Sequence, residues 1–205
     1  MKIQFKVADF IEDPSNDEAS TLKSTCAPRV SATEPDWTRE EPRKFWDPSR
    51  KLLRAIRRFQ ALQNKYGIAV WIARQYWKRV HQFWCLVSQN EIQLRTNIGG
   101  GLLLPHPNGI VIHPDAVLGP NCLIFNQVTI GIGKAGPDGW HTPIIGGHVD
   151  IAAGARIVGG IRIGNHAVIG LNAVVISDVP DGGVAVGVPA RVVRIAPPFD
   201  QDQPL

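Results

Sequence analysis

Cysteine is scarce in the 205-residue chain: Cys26, Cys85 and Cys122 are scattered and odd in number. Three such thiols exclude a disulfide scaffold and read as packing residues in a reducing compartment. The N-terminal run MKIQFKVADFIEDPSNDE has no apolar core of the kind a secretory leader needs, so a cytoplasmic protein is expected. No stretch is long and apolar enough for a membrane helix; the richest, residues 68–87, carries Arg74, Lys78, Arg79 and His81. A Gly-x-x-x-x-Gly-Lys-Ser/Thr phosphate loop is missing. No two histidines stand in HxH or HxxxH spacing, so no metal is expected. Despite 20 Gly and 16 Pro, no Gly-X-Y triplet persists, which excludes collagen.

Charge divides the chain into three. Residues 1–38 hold four basic and seven acidic side chains, residues 39–95 hold 13 and four, and residues 96–205 hold five and seven. The basic character belongs to the middle segment alone. The first segment mixes Ser, Thr, Pro and acids without a sustained period, so residues 1–40 read as a mobile, disordered arm.

Helical spacing begins at Asp47-Pro48, an N-cap followed by proline in the first turn. Leu52, Leu53, Ile56, Phe59 and Leu62 recur on one face while Arg50, Lys51, Arg54, Arg57 and Arg58 fill the other. This helix is expected to stop near Tyr66-Gly67, with Gly67 as a left-handed cap. A second helix over about 68–89 offers Trp71, Ile72, Trp77, Val80, Phe83, Trp84 and Val87 as a wide apolar face. Residues 41–90 thus form a basic helical hairpin packed on something else. Its charge reads first as a solvated face and second as a peripheral contact with an anionic membrane. No nucleic-acid motif accompanies it, so no nucleic-acid partner is expected.

From residue 91 the period changes to six. Aliphatic residues return at Ile98, Leu104 and Ile110, slip by two, and continue at Ile112, Leu118, Ile124 and Ile130. After an irregular stretch they resume at Ile145, Ile151, Ile157, Ile163, Ile169 and Val175, often followed by glycine. Six fits neither the helical period nor the alternation of a long strand. It fits a solenoid of very short strands, with the aliphatic residue inward and the small one at the corner. A mainly β domain over 91–194 and a tail over 195–205 complete the expected division.

Sites in a rigid stack are usually built where its repeat breaks. One break is Leu104-Pro105-His106-Pro107-Asn108-Gly109; the other, residues 132–143, reads IGKAGPDGWHTP. Each carries a histidine, His106 and His141, 35 residues apart, close to two coils of three hexads, so both are expected to border one groove. His113, His148 and His166 fall in regular coil positions and are expected to face solvent.

The hexads resemble those of hexapeptide-repeat acyltransferases, which implies a left-handed parallel β-helix. Over residues 89–194 the chain resembles the serine acetyltransferase family in particular. The resemblance rests on Glu91-Ile92 before the first coil, Leu104-x-His106-x-x-Gly109-Ile110-Val111 at the first break and Val128-Thr129-Ile130-Gly131 before the second. His141-x-Pro143 at its exit and Gly187-Val188-Pro189-Ala190-Arg191 at the end complete it. It implies acetyl transfer from acetyl-CoA to a hydroxyl of a small acceptor, without an acyl-enzyme. His106 then matches the catalytic base, Glu91 the carboxylate that steadies it, where the family uses Asp, and His141 a second active-site histidine. Gly131, Ala153 and Leu171 are implied to line the CoA arm, and Lys134 or Arg191 to meet its phosphates. The resemblance also implies a homotrimer, or paired trimers forming a hexamer, with the site between subunits. Pro105 and Trp140 occupy the acceptor-side positions where the serine-specific enzymes carry an acid and an arginine. Losing both counter-charges weakens selection of a zwitterion. L-Serine, leading to cysteine, is therefore the family default beside a sugar hydroxyl of a surface polysaccharide, which an indole suits by stacking. The chain ends in Asp-Gln-Pro-Leu, not the family's docking Ile, so a sulfhydrylase complex is not expected.

Overall fold

A computed structural model describes residues 30–196. Two helices precede five coils: α1 (Pro48–Gln60) and α2 (Ile68–Ser88). The first coil holds β1 (Glu91–Ile92) and β2 (Asn97–Ile98); the second β3 (Val111–Ile112), β4 (Val117–Leu118) and β5 (Leu123–Ile124). The third holds β6 (Thr129–Gly131), β7 (Ile144–Ile145) and β8 (Asp150–Ile151); the fourth β9 (Arg156–Val158), β10 (Arg162–Ile163) and β11 (Val168–Ile169). The last coil adds β12 (Val174–Val175) and β13 (Gly183–Gly187), and β14 (Ala190–Ile195) folds back antiparallel on β13. Parallel pairing gathers them into three faces: β1-β3-β6-β9-β12, then β2-β4-β7-β10, then β5-β8-β11-β13 with β14 outermost.

Successive partners on the first face are Glu91, Val111, Thr129, Arg156 and Val174, in steps of 20, 18, 27 and 18 residues. The coil is therefore 18 residues long. The two-residue excess sits at the first break and the nine-residue excess at the second. All thirteen hexad aliphatics are buried inside the prism. Two corners turn through the left-handed region. One column is Gly101, Asn121, His148, His166 and Gly182; the other is Gln89, Gly109, Gln127, Gly154 and Asn172. Glycine takes this conformation freely, and Asn and His tolerate it better than most. On the second face glycines stack between coils: a methyl on Gly119 would lie 2.5 Å from the carbonyl carbon of Gly146.

The helices differ from the expectation in two respects. Helix α1 ends at Gln60 because the Arg74 fork, reaching back from α2, takes the freed carbonyls: its Nε donates to Leu62 O at 3.0 Å, and Nη2 to Leu62, Gln63 and Lys65. Gly67, at φ 117°, is the N-cap of α2, not a cap on α1. The apolar face of α2 is also covered far less than expected. Only Trp84 of the seven predicted residues is buried, Val80 and Val87 pack partly on the core, and Trp71, Ile72 and Phe83 are exposed.

The arm expected over residues 1–40 is corrected at its end; residues 1–29, like 197–205, lie outside the described residues. Residues 31–36 are tied to the coil by Asn121, whose Oδ1 accepts from Asp36 N and whose Nδ2 donates to Ser31 O and Glu34 O, at 2.7–2.8 Å. A 3-10 turn over Trp37–Glu40 follows, and Glu40 is buried. Arg57 grips it with two hydrogen bonds of 3.0 and 2.8 Å and donates also to Ile98 O and Gly99 O of the first coil. The acidic residues that read as a solvated arm include the one that clamps arm, helix and coil together.

Candidate functional site

The first break places His106 between the third and first faces. Its loop is stitched to the segment entering the first coil: Asn108 Nδ2 donates to Gln89 Oε1, Gly109 N to Gln89 O and Ile110 N to Asn90 Oδ1, all within 3.0 Å. Gly109 takes φ 65°, which lets the chain swing out and return in two extra residues. His106 projects from this loop, exposed, with Phe125 of the next coil 6.3 Å from its ring centroid. Glu91 opens β1, beside the stitched segment, and is also exposed. Among the described residues no hydrogen bond or ion pair joins Glu91 to His106. Glu91 is thus on the segment adjoining the His106 loop, with no contact to the ring.

The second break places His141 between the first and second faces. Its loop is closed on itself by Gly133 N to His141 O and Gly136 N to Trp140 O, and tied to the coil above by Gly160 N to Lys134 O. His141 Nδ1–H donates to Gly133 O at 3.3 Å, and Nε2 has no hydrogen-bond partner among the described residues. Trp140 is 45% exposed beside it. The spacing lets both histidines border one groove; within a single chain they do not, because the nine-residue insertion that holds His141 sets it between the first and second faces while His106 lies between the third and first.

The remaining predicted residues sort onto the same two edges. Ala153 and exposed Leu171 stack one coil apart, with Asn172 N donating to Ala153 O, on the edge that carries His106. Gly131 ends β6 and exposed Lys134 follows it, on the edge that carries His141. There, a groove of about 480 Å³ runs under the loop, lined by Lys134, Val158, Ile176 and Ser177 among others. Arg191 lies apart from both, exposed on β14. Pro105 joins His106 in the wall of a cavity of about 310 Å³ that Arg43, Asp47, Ser49 and Arg50 complete. Those four escaped the sequence reading, because basic residues around an amphipathic helix look like a solvated face; Asp47-Pro48 marked only the helix start.

His148 and His166 do not simply face solvent. Both are half-buried on one corner column, their Nδ1 atoms 2.9 Å apart. Burial first, then the charges of His166 and Arg39, pushes His148 down to about 4. His81 is buried too and donates from Nε2 to Ile92 O.

No family model matches the chain. It is 35% identical over 161 residues to a serine acetyltransferase of Escherichia coli strain K12, covering 72% of this chain and 56% of that one. Among solved structures, a soybean serine acetyltransferase apoenzyme superposes with TM-score 0.59 at 37% identity, over 71% of this chain and 57% of its own. A serine acetyltransferase in complex with CoA superposes with TM-score 0.59 at 29% identity, over 73% and 58%. The chain therefore spans a little over half the length of these relatives. With identity of this level over nearly three quarters of the chain, and with the three stacked parallel faces described above, the chain is a left-handed parallel β-helix and belongs to the serine acetyltransferase family of hexapeptide-repeat acyltransferases.

Proposed function

We propose that the chain transfers the acetyl group of acetyl-CoA directly to a hydroxyl of a small acceptor, in a cleft formed between copies of a homotrimer. The observation that carries this is the sorting of the site residues onto two edges. One edge holds His106, Ala153 and Leu171; the other holds His141, Gly131 and Lys134. A threefold arrangement brings the first edge of one copy against the second edge of its neighbour, and so assembles one acetyl-CoA site and two histidines per interface. A family relative is known in complex with CoA, and the apolar groove beside Lys134 suits a pantetheine arm.

An alcohol is a weak nucleophile at neutral pH, so its proton must leave as the thioester carbonyl is attacked. His106, exposed on a loop fixed by three hydrogen bonds, takes that proton. Glu91 turns toward the other ring nitrogen in the assembled site and stabilises the imidazolium, as the acid of a Ser-His-Asp triad does. Because His141 Nδ1–H is committed to Gly133 O, its Nε2 donates to the tetrahedral oxyanion only in the doubly protonated form. The proton from the acceptor ends on the departing CoA thiolate, and free thiol is released.

The acceptor is L-serine by the family default, with O-acetylserine for cysteine synthesis as its product. A sugar hydroxyl is the second reading, favoured by Trp140 and Pro105 in place of the charged pair. The cytoplasmic location expected of the chain goes with the co-substrate. The test is thiol release from acetyl-CoA with serine, homoserine and sugar acceptors. One acceptor should give turnover, and His106→Ala should lower kcat at least about 100-fold with the oligomer intact. Turnover undiminished in that variant would remove His106 from the reaction.

A further inference from the structure

The cavity beside His106 has one wall from the coil and one from the basic helical segment. Leu102, Leu103 and Leu104 make an apolar floor, and its polar groups are Arg43, Asp47, Ser49, Arg50 and His106. The carboxylate of Asp47 is already committed. It accepts from Arg43 N at 3.2 Å, Ser49 Oγ at 3.4 Å and Arg50 Nη1 at 3.3 Å. Arg50 is further held by its Nε donating to Arg39 O at 2.8 Å, and both Asp47 and Arg50 are largely buried. One carboxylate thus offsets one of two guanidiniums. The Arg43 guanidinium makes no hydrogen bond or ion pair among the described residues, so the cavity carries one uncompensated positive charge over an apolar floor.

We propose that Arg43 is a specificity-determining residue of this site: it holds the anionic group of the acceptor, a phosphate or a carboxylate, while the acceptor's hydroxyl lies against His106. The inference rests on the reading of His106 as the base. Asp47 acts as the positioning residue, since its contacts reach both the Arg43 backbone and the Arg50 side chain. A guanidinium fork matches a carboxylate or phosphate with two parallel bonds, and the leucine floor takes the apolar part of the acceptor. A volume of about 310 Å³ suits a group the size of a small metabolite. The positions flanking the histidines, Pro105 and Trp140, supply no charge. Arg43, in the stretch that leads into α1, supplies it instead, so the anion is met from the N-terminal side of the site and not from the coil.

Arg43→Gln tests this with little risk to the fold, because Arg43 is exposed and the contact to Asp47 is made by its backbone. Each anionic acceptor is compared with its neutral counterpart: a hexose 1-phosphate with the methyl hexoside, L-serine with serinamide. The first pair reports on phosphate and the second on carboxylate. The variant should lower the anionic-to-neutral ratio of kcat/KM at least about tenfold for one pair, mostly through KM for the acceptor, with KM for acetyl-CoA unmoved. A readout without turnover is the ring NMR signal of His106 in the full chain during titration with inorganic phosphate. The signal should shift in the parent protein and stay fixed in Arg43→Gln. An unchanged ratio for both pairs, or a phosphate titration that leaves the parent signal still, overturns the proposal. Failure of the base assignment reads differently: His106→Ala would keep its turnover while phosphate still bound.

Discussion

His148 and Asp150 stand two residues apart on the third-face side of the coil, and burial displaces them in opposite senses. His148 is lowered to about 4, by burial and then by the positive charges of His166 and Arg39. Asp150 is raised to about 6 by burial, with Arg39 opposing the rise. The unfolded chain binds a proton at His148 near pH 6.5 and the folded chain does not, so this stabilisation is lost as pH falls from about 6.5 toward 4. Folded Asp150 holds its proton up to about pH 6 while unfolded Asp150 releases it near 3.8, so its contribution is present in acid and lost as pH rises through 6. The two oppose one another between pH 4 and 6 and flatten the stability profile there. Asp150→Asn should remove the compensation and make the melting temperature fall more steeply on acidification. His148→Asn, which keeps a residue suited to φ 52°, should remove most of the fall. Melting curves from pH 4 to 8 decide it, and parallel profiles for parent and Asp150→Asn would refute the assignment. His148 and His166 were legible as repeat positions but not as two rings in contact. A hexad pattern shows which residues point inward, whereas the half-buried corner column appears only once left-handed residues 18 apart are stacked.

Among the elements, the coils followed most directly from sequence, because each face needs only one aliphatic residue in six and a small residue after it. Helix limits were less legible. The end of α1 depends on a guanidinium twelve residues beyond Leu62, and no local pattern announces it. The apolar stripe of α2 met the helical spacing yet stays largely uncovered in one chain, since spacing reports amphipathicity and not what covers the face. The arm was least legible, because its docking rests on single polar side chains, Asn121 and Glu40. The Glu40–Arg57 pair holds arm, α1 and first coil together, with Glu40 Oε1 also accepting from Leu102 N at 3.2 Å. Arg57→Met would leave that carboxylate buried without its partner and two coil carbonyls without a donor. It should destabilise by about 3 kcal/mol or more. Glu40→Gln, which keeps a hydrogen-bonding group of the same shape and removes the charge, should cost less. Urea unfolding of the two variants and the double variant gives the coupling, and near-additive losses would mean that the clamp is only two independent contacts.

At the scale of the whole molecule, the two breaks were legible as departures from a period, and their histidines as the residues most suited to acid–base work. What spacing alone left open was their relation. A separation of 35 residues is nearly two coils, but the nine extra residues that the second break takes up before β7 put His141 on the edge opposite to that of His106. This geometry makes a prediction that a site within one protomer does not share. His106→Ala and His141→Ala should each be inactive alone as homotrimers. Unfolded together in equal amounts and refolded, they give mixed trimers. Some interfaces of these pair an intact His106 from one copy with an intact His141 from the next. Random assortment makes that about a quarter of all interfaces, so the mixture should recover roughly 25% of parent turnover per protomer. Catalysis confined to one protomer gives none, because no chain in the mixture carries both rings. The recovery should also grow and decline with the mixing ratio, peaking at equal amounts, since each working cleft draws one chain of each kind.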